Sequence, residues 1–318
     1  MGSREKELAA LPQAADPPRG RLAALLGRLI GPFRRGAPLK ARTATGFYTD
    51  TTVCIGCKAC EVACKQWNQL PADGFHWSGN SYDNTGRLSA TSWRHVKFIE
   101  QFPEGAGAGS PPAPIGRRIS LEVLLGNEPT PNRWLMMSDV CKHCVTAPCQ
   151  QACPTGAIIH NEFENVYIQP DVCNGCSYCV AACPFGVITR ASADGHSHKC
   201  TLCYDRQKDG LVPACAKACP TESIQFGPIE ELLDRARKRV EELHRRGVTG
   251  AYLYGADSTD GYSSLNSFYI LVDRPSVYGL PDNPSNPWLT MKGDYVRSVV
   301  CGLAALALLW CLFLLAGQ

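Results

Sequence analysis

The residues of this sequence that can do chemistry are cysteines gathered in four short blocks. The first block reads CIGCKACEVAC from Cys54 to Cys64, with spacings x2, x2 and x3. The arrangement recurs in CKHCVTAPCQQACP from Cys141, in CNGCSYCVAACP from Cys173 and in CTLCYDRQKDGLVPACAKACP from Cys200. Sixteen of the 18 cysteines lie in these blocks. Thiols at this density indicate either disulfides or bound metal.

Three kinds of site compete for these cysteines. Disulfide scaffolds are small proteins with dispersed cysteines, whereas these thiols form tight quartets in a chain of 318 residues that is long enough for an ordinary core. Zinc accounts for C-x2-C pairs but not for the quartets. The run C-x2-C-x2-C-x3-C-P is the bacterial ferredoxin pattern, in which three thiolates hold one [4Fe-4S] cube and the fourth binds a neighbouring cluster. The sequence therefore favours iron-sulfur clusters.

The four blocks match that pattern to different degrees. The block from Cys173 is followed by Pro184 and matches fully, whereas the first block has Lys65 in place of the proline. The second and fourth blocks keep the final C-x3-C-P and lengthen an inner gap. Gly56 and Gly175 each precede the second cysteine of a block, where a residue without Cβ lets the backbone turn tightly. Sixteen thiolates divide evenly into four cubes.

Composition indicates a globular, loop-rich protein. The chain is 45% hydrophobic and 19% charged, with 29 Gly and 23 Pro. Its formal charge of +3 becomes about −5 if each cube carries roughly −2, so net charge gives no support to nucleic-acid binding. Six cations flank the cysteines and either offset cluster charge or lie solvated at the surface: Lys58, Lys65, Lys142, Arg190, Lys199 and Lys217.

The remaining segments must position these blocks. Residues 1–46 form a basic extension without cysteine, which we expect either as a short helix at a membrane surface or as a segment packed on a partner subunit. Arg34 and Arg35 are not followed by an apolar region, so no cleavable signal is predicted. The pattern predicts a helix from Pro228 to Gly247 with one apolar face. Residues 248–291 are turn-rich, with the strand-like run FYILV near residue 268.

Residues 299–317 carry no charge and are just long enough to cross a bilayer core. This run predicts a C-terminal membrane anchor, with a buried soluble helix as the alternative. Lys292 and Arg297 flank its start, which by the positive-inside rule puts the cysteine blocks on the cytoplasmic side. Cys301 and Cys311, within the run, are expected to be small buried apolar residues.

Several stretches resemble one family. The first block with its continuation KQWN, SYDNTGRLSATSW at 81–93, GCSYCVAACPFG, HKCTLCYDR, YGLPDNP near 278 and the single apolar C-terminal helix are similar to the iron-sulfur (beta) subunit of membrane-bound respiratory formate dehydrogenase. That family is part of the electron-transfer subunits that accompany molybdopterin oxidoreductases. The resemblance runs from about residue 47 to the C-terminus.

The resemblance implies an α+β fold of two ferredoxin-like modules, each with two [4Fe-4S] clusters. Residues 47–226 would hold all four clusters, with the first and fourth cysteine blocks in one module and the second and third in the other. Residues 227–291 would be the amphipathic helix and a turn-rich connector, and 292–318 the single transmembrane helix. The implied ligand sets exchange cysteines between blocks: Cys54, Cys57, Cys60 and Cys219; Cys200, Cys203, Cys215 and Cys64; Cys141, Cys144, Cys149 and Cys183; Cys173, Cys176, Cys179 and Cys153.

The function implied is electron conduction rather than catalysis. Electrons from formate oxidation at a molybdenum or tungsten centre on another subunit would pass through four cubes to a cytochrome b subunit and quinone. The family resemblance implies the outer face of a prokaryotic inner membrane, opposite to the charge rule. One alternative is the same relay for another molybdopterin reductase or a hydrogenase. An alternative of another class is a zinc-binding structural protein.

A few other side chains near the blocks carry weaker expectations. His143 is expected to make hydrogen bonds or packing contacts rather than to bind metal, because its quartet is already complete. His196 and His198 are expected as surface loop residues. Trp67, Trp93 and Tyr178 are expected to pack around the clusters.

Overall fold

The computed structural model describes residues 43–74, 82–83, 85–101, 133–258 and 262–316. The basic extension, apart from residues 43–46, lies outside the described residues, as do positions 81 and 84 of the stretch 81–93. The described residues include all four cysteine blocks and most of the C-terminal part of the chain.

A four-stranded sheet brings the two ends of the cysteine region together. It consists of β1 (Thr45–Asp50), β8 (Ile224–Pro228), β9 (Tyr252–Tyr254) and β10 (Ser267–Leu271), in the order β8-β1-β10-β9. Strand β1 pairs parallel with β10 and antiparallel with β8. The strand-like run near residue 268 is confirmed. Residues 227–291, predicted as a helix and connector, thus also supply two strands of this sheet.

Adjacent residues of β1 face two different cores, as the two-residue period of a strand requires. Phe47 belongs to the core that contains the buried cysteines, and Tyr48 to the core under a long helix. Both side chains are almost completely buried. The sheet is therefore covered on one face by the cysteine blocks and on the other by helix.

That long helix, Ile229–Arg245, confirms the prediction for this segment. Pro228 stands at its N-cap, and Glu230 and Glu231 occupy the first turn, where carboxylates interact favourably with the helix dipole. Leu232 and Leu243 are buried against the sheet, and each fully buried leucine contributes about 1.5–3 kcal/mol. The helix packs on protein core rather than on the cysteine blocks.

The short helices carry the cysteines and pack in two pairs. Helix α1 (Ala59–Trp67) of the first block contacts α5 (Ala214–Lys217) of the fourth. Helix α2 (Pro148–Gln151) of the second block contacts α3 (Tyr178–Ala182) of the third. Helix α4 (Tyr204–Lys208) follows Cys203, and the long helix is α6. The helix contacts therefore join the first block to the fourth and the second to the third.

Three hairpins complete the cysteine region. The longest pairs β2 (Arg94–Gln101) with β3 (Arg133–Val140), so that Arg94 lies opposite Val140. The two shorter ones are β4 (Ile158–His160) with β5 (Val166–Ile168), and β6 (Thr189–Arg190) with β7 (Ser197–His198). Three short 3₁₀ turns span Thr51–Val53, Pro170–Val172 and Pro275–Tyr278.

The chain continues into a C-terminal helix, α7, over Pro287–Ala316. Where its side chains are described, the large apolar ones are exposed, including Leu303, Leu306 and Leu309 at 62–64%. Cys301 is exposed as well, so the expectation that it is buried is wrong; the side chain of Cys311 lies outside those described. Within the ranges that the structure describes, no helix combines the length and the apolarity needed to cross a membrane. The transmembrane anchor stays a prediction.

Candidate cluster-binding sites

Four cysteines from opposite ends of the region line one cavity, here called site 1. Cys54, Cys57 and Cys60 of the first block meet Cys219 of the fourth around about 290 Å³. Ile224, Ser138 and Val96 line the inner side of this cavity. Cys57 is exposed and Cys60 is buried, so site 1 opens toward the surface on one side.

Site 4 repeats this geometry in the other module. Cys173, Cys176 and Cys179 of the third block meet Cys153 of the second around a cavity of about 280 Å³. Here Cys176 is the exposed thiol and Cys179 the buried one.

Site 3 consists of Cys141, Cys144, Cys149 and Cys183, which line a cavity of about 300 Å³. The first three thiols are buried and Cys183 is half-buried. The hydroxyl of Tyr262 donates a hydrogen bond to the Cys144 sulfur at 3.0 Å. Pro184 and Phe185 line the same cavity, so its walls are apolar apart from the sulfurs, the Lys142 side chain and the Tyr262 hydroxyl.

Site 2 is the most enclosed of the four. Cys64, Cys200, Cys203 and Cys215 are all buried. Each of the thiols of Cys64 and Cys200 is close enough to those of Cys203 and Cys215 for their charges to interact. The backbone N–H of Leu202 donates to the Cys200 sulfur at 3.3 Å, and a guanidinium nitrogen of Arg94 donates to the Cys215 sulfur at 3.2 Å. The four sets of thiols are the same sets that the family resemblance implied.

A left-handed residue stands two positions after the first cysteine in every block. These residues are Gly56, His143, Gly175 and Leu202, with φ of 66°, 44°, 71° and 55°. A left-handed conformation costs a residue with a Cβ about 1–2 kcal/mol, yet His143 and Leu202 adopt it. The sequence pattern pointed to this turn only where it contains glycine. The four blocks therefore share this left-handed backbone turn, whether or not a glycine occupies it.

His143 contributes through this backbone conformation and through packing. Its side chain is completely buried, and within the described residues neither ring nitrogen has a hydrogen-bond partner. Burial, together with the nearby charge of Lys199, lowers the pKa of its imidazole well below the ordinary value. Of the two roles expected for His143, packing is consistent with a neutral, buried ring. Hydrogen bonding by the ring is not observed among the described residues.

Burial dominates the electrostatics of the thiols. It raises the pKa of Cys60, Cys144 and Cys200 to about 12 and that of Cys203 to about 11. Cys153 is the contrasting case, because hydrogen bonds from the Thr155 hydroxyl and nearby backbone N–H groups outweigh burial and lower its pKa. Since metal ligands must be thiolates, a bound metal has to displace protons from the buried sulfurs.

Three cations are buried beside sites 2 and 3. Arg94, Lys142 and Lys199 are 1–3% exposed. Burial alone would lower their pKa values, but neighbouring groups keep them raised: thiols beside Arg94 and Lys199, and Asp139 beside Lys142. The other flanking cations differ, because Lys58 and Lys65 are half-buried and Arg190 and Lys217 are exposed. Of the six flanking cations, Arg190 and Lys217 therefore match the interpretation of solvated surface residues, and charge compensation by the buried ones stays a prediction.

Comparison with known proteins gives these sites their context. Two overlapping segments, residues 53–157 and 132–229, match family models described as 4Fe-4S dicluster domains. The chain is 39% identical over 262 residues to the formate dehydrogenase-O iron-sulfur subunit of Escherichia coli, covering 80% of this chain and 78% of that one. It is 38% identical over 239 residues to the nitrate-inducible formate dehydrogenase iron-sulfur subunit of E. coli, covering 74% and 71% of the two chains.

The chain belongs to the formate dehydrogenase iron-sulfur subunit family. A more distant relative is the B subunit of the anaerobic dimethyl sulfoxide reductase of E. coli, 30% identical over 195 residues, which cover 60% of this chain and 76% of that one. The two dicluster matches together cover all four cysteine blocks. This is an iron-sulfur electron-transfer subunit of the formate dehydrogenase type.

The residues present fit [4Fe-4S] clusters. A cube takes four thiolates, and sites 1, 3 and 4 each place four thiols around cavities of nearly equal volume, about 280–300 Å³. Site 2 offers four buried thiols with two hydrogen-bond donors to sulfur. When bound, clusters supply one-electron chemistry, and the chain supplies ligands, charge and exclusion of water. Within the described part of the chain, no three His, Cys, Asp or Glu side chains lie close enough together to hold a single metal ion.

The three aromatic side chains expected around the clusters differ from one another in burial. Trp67 is 42% exposed, with its ring under the Arg206 guanidinium at 4.2 Å, and Tyr178 is 63% exposed. The prediction that these two pack around clusters is wrong, because each lies on the outer face of its short helix. Trp93 is half-buried and packs against the core that contains the cysteines. The His198 ring nitrogen Nε2 lies 2.7 Å from a carboxylate oxygen of Asp194 on a surface hairpin.

Proposed function

We propose that this chain conducts electrons through four [4Fe-4S] clusters, one in each site, from a formate-oxidising molybdopterin subunit to a membrane cytochrome b and quinone. The observation that carries the proposal is that the four sites form an unbranched series. Cys60 and Cys64, four residues apart on α1, belong to sites 1 and 2. Cys149 on α2 belongs to site 3, and Cys153 belongs to site 4; Cys153 lies two residues beyond the end of that helix, where its backbone N–H donates to the Gln150 carbonyl at 3.2 Å. Residues at this spacing on a helix are neighbours.

The two modules connect through sites 2 and 3. The thiol of Cys200 in site 2 interacts electrostatically with that of Cys141 in site 3, and Lys199 lies within interaction distance of both. The series is therefore 1-2-3-4, with exposed thiols at its two ends. A relay needs accessible ends, where electrons are exchanged with partners, and an enclosed middle. We assign no substrate turnover to this chain, because ligation leaves these thiols no catalytic role.

The position of α7 supports a direction for the series. Asn286, just before this helix, donates hydrogen bonds to the Thr146 carbonyl at 3.3 Å and to the Gln151 side chain at 3.2 Å. Thr146 lies three residues before Cys149 of site 3, and Gln151 lies between Cys149 and Cys153 of site 4. If α7 anchors the chain, site 4 is the end nearer the lipid bilayer and cytochrome b, and site 1 receives electrons from the catalytic subunit. The family resemblance supports the outer face of a prokaryotic inner membrane.

The test replaces one exposed ligand at the membrane end. Cys176→Ala should remove the site 4 cluster and abolish formate-to-quinone electron transfer in the purified complex. Reduction of a soluble dye by formate at the catalytic subunit should persist, which separates a broken relay from a failed assembly. Cys301→Ala, outside the blocks, is the matched control and should behave as wild type. Unchanged quinone reduction by Cys176→Ala would contradict the relay.

The likeness to the dimethyl sulfoxide reductase B subunit supports a second candidate, the same relay serving another oxidoreductase with electrons in the opposite direction. The two are distinguished by the donor. Clusters that reduce with dithionite but not with formate in the complete complex would favour this second candidate.

A further inference from the structure

Arg94 joins site 1 to site 2 through hydrogen bonds. It is 2% exposed, at the start of β2. One guanidinium nitrogen, Nη2, donates to the sulfur of Cys215 in site 2 at 3.2 Å. The other, Nη1, contacts the hydroxyl of Ser138 at 3.3 Å and the Ser138 carbonyl at 3.4 Å. The Ser138 hydroxyl lies 3.3 Å from the sulfur of Cys60 in site 1. A continuous polar bridge therefore runs from one site to the other.

The charge of Arg94 is compensated differently from that of the buried Lys142. Among the described residues no Asp or Glu forms an ion pair with it, whereas the buried Lys142 pairs with Asp139. The guanidinium instead lies 4.7 Å from the centre of the Phe47 ring. A buried cation without a counter-charge is strongly unfavourable, and arginine cannot lose its proton. The negative charge that compensates Arg94 must therefore come from sulfur in sites 1 and 2.

We propose that Arg94, held in place by Ser138, is a positioning residue that raises the reduction potentials of the clusters in sites 1 and 2 together. This inference rests on the proposed function, because it requires clusters in both sites. Adding an electron to a cluster adds negative charge, and a fixed cation at hydrogen-bond distance from a ligand sulfur favours the reduced form. Since the cation acts on site 2 directly at Cys215 and on site 1 through Ser138, it raises both potentials together. Neither cluster is then left far below the other, and an electron can pass between them as the first is oxidised and the second reduced.

The other module provides an internal comparison. Near site 4, the flanking cation Arg190 is exposed, and its Nε donates to the Gly195 carbonyl rather than to sulfur. Near site 3, Lys142 is neutralised by Asp139. Lys199 donates to the backbone carbonyls of Val166 and Cys200 and lies beside thiols of sites 2 and 3, not of sites 1 and 4. Arg94 is thus placed to act on sites 1 and 2, and its loss should leave site 4 unaffected.

The experiment is a redox titration followed by electron paramagnetic resonance on the complete complex, purified anaerobically. Wild type is compared with Arg94→Gln, Arg94→Lys and Ser138→Ala, and iron and acid-labile sulfide are measured on each sample. Signals are assigned with Cys57→Ser for site 1 and Cys203→Ser for site 2. Because potentials are measured on clusters already present, the result does not depend on turnover.

Arg94→Gln should lower the ratio of reduced to oxidised cluster in sites 1 and 2 at least tenfold at a fixed potential, a shift of 59 mV for a one-electron couple. Site 4 should titrate as in wild type. Arg94→Lys, which keeps the charge, should recover most of the shift. Ser138→Ala, which removes only the hydroxyl that links Arg94 to Cys60, should lower the potential of site 1 more than that of site 2.

Arg94→Gln with full iron content and wild-type potentials in sites 1 and 2 would overturn the inference, and so would an equal shift of all four clusters. If Arg94→Gln does not retain iron, the Ser138→Ala variant provides the test. An unchanged site 1 potential in Ser138→Ala would overturn the inference. Absence of [4Fe-4S] signals in wild type is a different outcome, which removes the proposed function and this inference with it.

Discussion

Sites 2 and 3 differ from sites 1 and 4 in how completely protein surrounds their thiols. All four thiols of site 2 and three of the four in site 3 are buried. Sites 1 and 4, by contrast, each have one exposed thiol, Cys57 or Cys176. The inner pair is also where the buried cations lie. The same cysteine pattern thus produces two environments: accessible thiols in sites 1 and 4, and enclosed thiols beside buried cations in sites 2 and 3.

The inner region depends on charges that must stay paired. Asp139 is 4% exposed and makes a close ion pair with Lys142 and a second, at 3.0 Å, with Lys97. The centre of the Tyr269 ring also lies 5.0 Å from the Lys142 ammonium nitrogen. Pairing lets Lys142, the residue after Cys141, remain charged in the interior. On the outside of α6, by contrast, Lys238 and Asp234 form an exposed pair at 2.7 Å.

The largest expected effect comes from breaking the inner ion pair. Asp139→Asn leaves Lys142 as a buried charge without its partner, which should lower the free energy of unfolding by about 3–5 kcal/mol. Urea denaturation followed by circular dichroism measures this change. The matched control, Asp234→Asn, breaks an exposed pair and should change the free energy by less than about 1 kcal/mol. Equal effects of the two substitutions would refute the distinction between inner and outer charge.

Low pH should weaken the same ion pair between Asp139 and Lys142. Burial would raise the pKa of Asp139, but Lys142 and Lys97 hold it well below its usual range. Because the pKa is depressed in the folded state, the stabilisation is fully present above the unfolded-state pKa of about 3.9 and is lost as pH falls toward the folded-state pKa. The stability difference between wild type and Asp139→Asn should therefore be constant at neutral pH and shrink below about pH 4. A difference that stays constant down to about pH 2 would contradict this assignment.

A smaller effect should follow from a glycine at the outer site 4. Gly175 has φ of 71°, and a Cβ there would lie 2.1 Å from the carbonyl oxygen of Gly195. Gly186 has a similar φ of 61° with no atom within 4 Å of its Cβ position. Gly186→Ala should cost about 1–2 kcal/mol from backbone strain alone. Gly175→Ala should lower the free energy of unfolding by more than Gly186→Ala and reduce the iron bound by site 4, as measured by thermal unfolding and iron analysis. Equal losses of stability would show that the β6-β7 hairpin moves to accommodate the added methyl group.

The smallest expected effect is kinetic. When the loaded complex is exposed to a water-soluble iron chelator under mild oxidation, signals of sites 1 and 4 should disappear before those of sites 2 and 3, because thiol access limits the reaction. Freeze-quenched electron paramagnetic resonance follows the order of loss. Loss of site 2 ahead of site 1 would show that burial in the folded chain does not protect the inner clusters.

Much of the site was predictable because cluster ligation is local. Three cysteines of each quartet come from a single block, and the spacing within the blocks indicates the chemistry. The long helix was equally predictable, since proline, acidic and apolar positions agree from Pro228 onward. The fourth ligand of each quartet came from family resemblance, since spacing does not show which block exchanges with which.

The parts that could not be predicted depend on distant contacts. Strand β1 pairs with β10 through Phe47 and Ser267, and nothing in the local sequence specifies a partner so far along the chain. Arg94 and Ser138 lie in cysteine-free segments and become significant only because the β2-β3 hairpin brings them between two sites. Burial of Lys199 and exposure of Lys217 are likewise set by tertiary packing, as both flank cysteines in the same way.

The central claim, that four [4Fe-4S] clusters in this chain carry electrons from formate, is tested most directly by one measurement. The complex is purified anaerobically in mild detergent, its iron and sulfide are determined, formate is added, and the low-temperature electron paramagnetic resonance spectrum is recorded. We expect about sixteen iron and sixteen sulfide per chain, with reduced [4Fe-4S] signals that appear on addition of formate. A colourless protein with about one zinc per four cysteines, or clusters that respond to dithionite but never to formate, would contradict the claim.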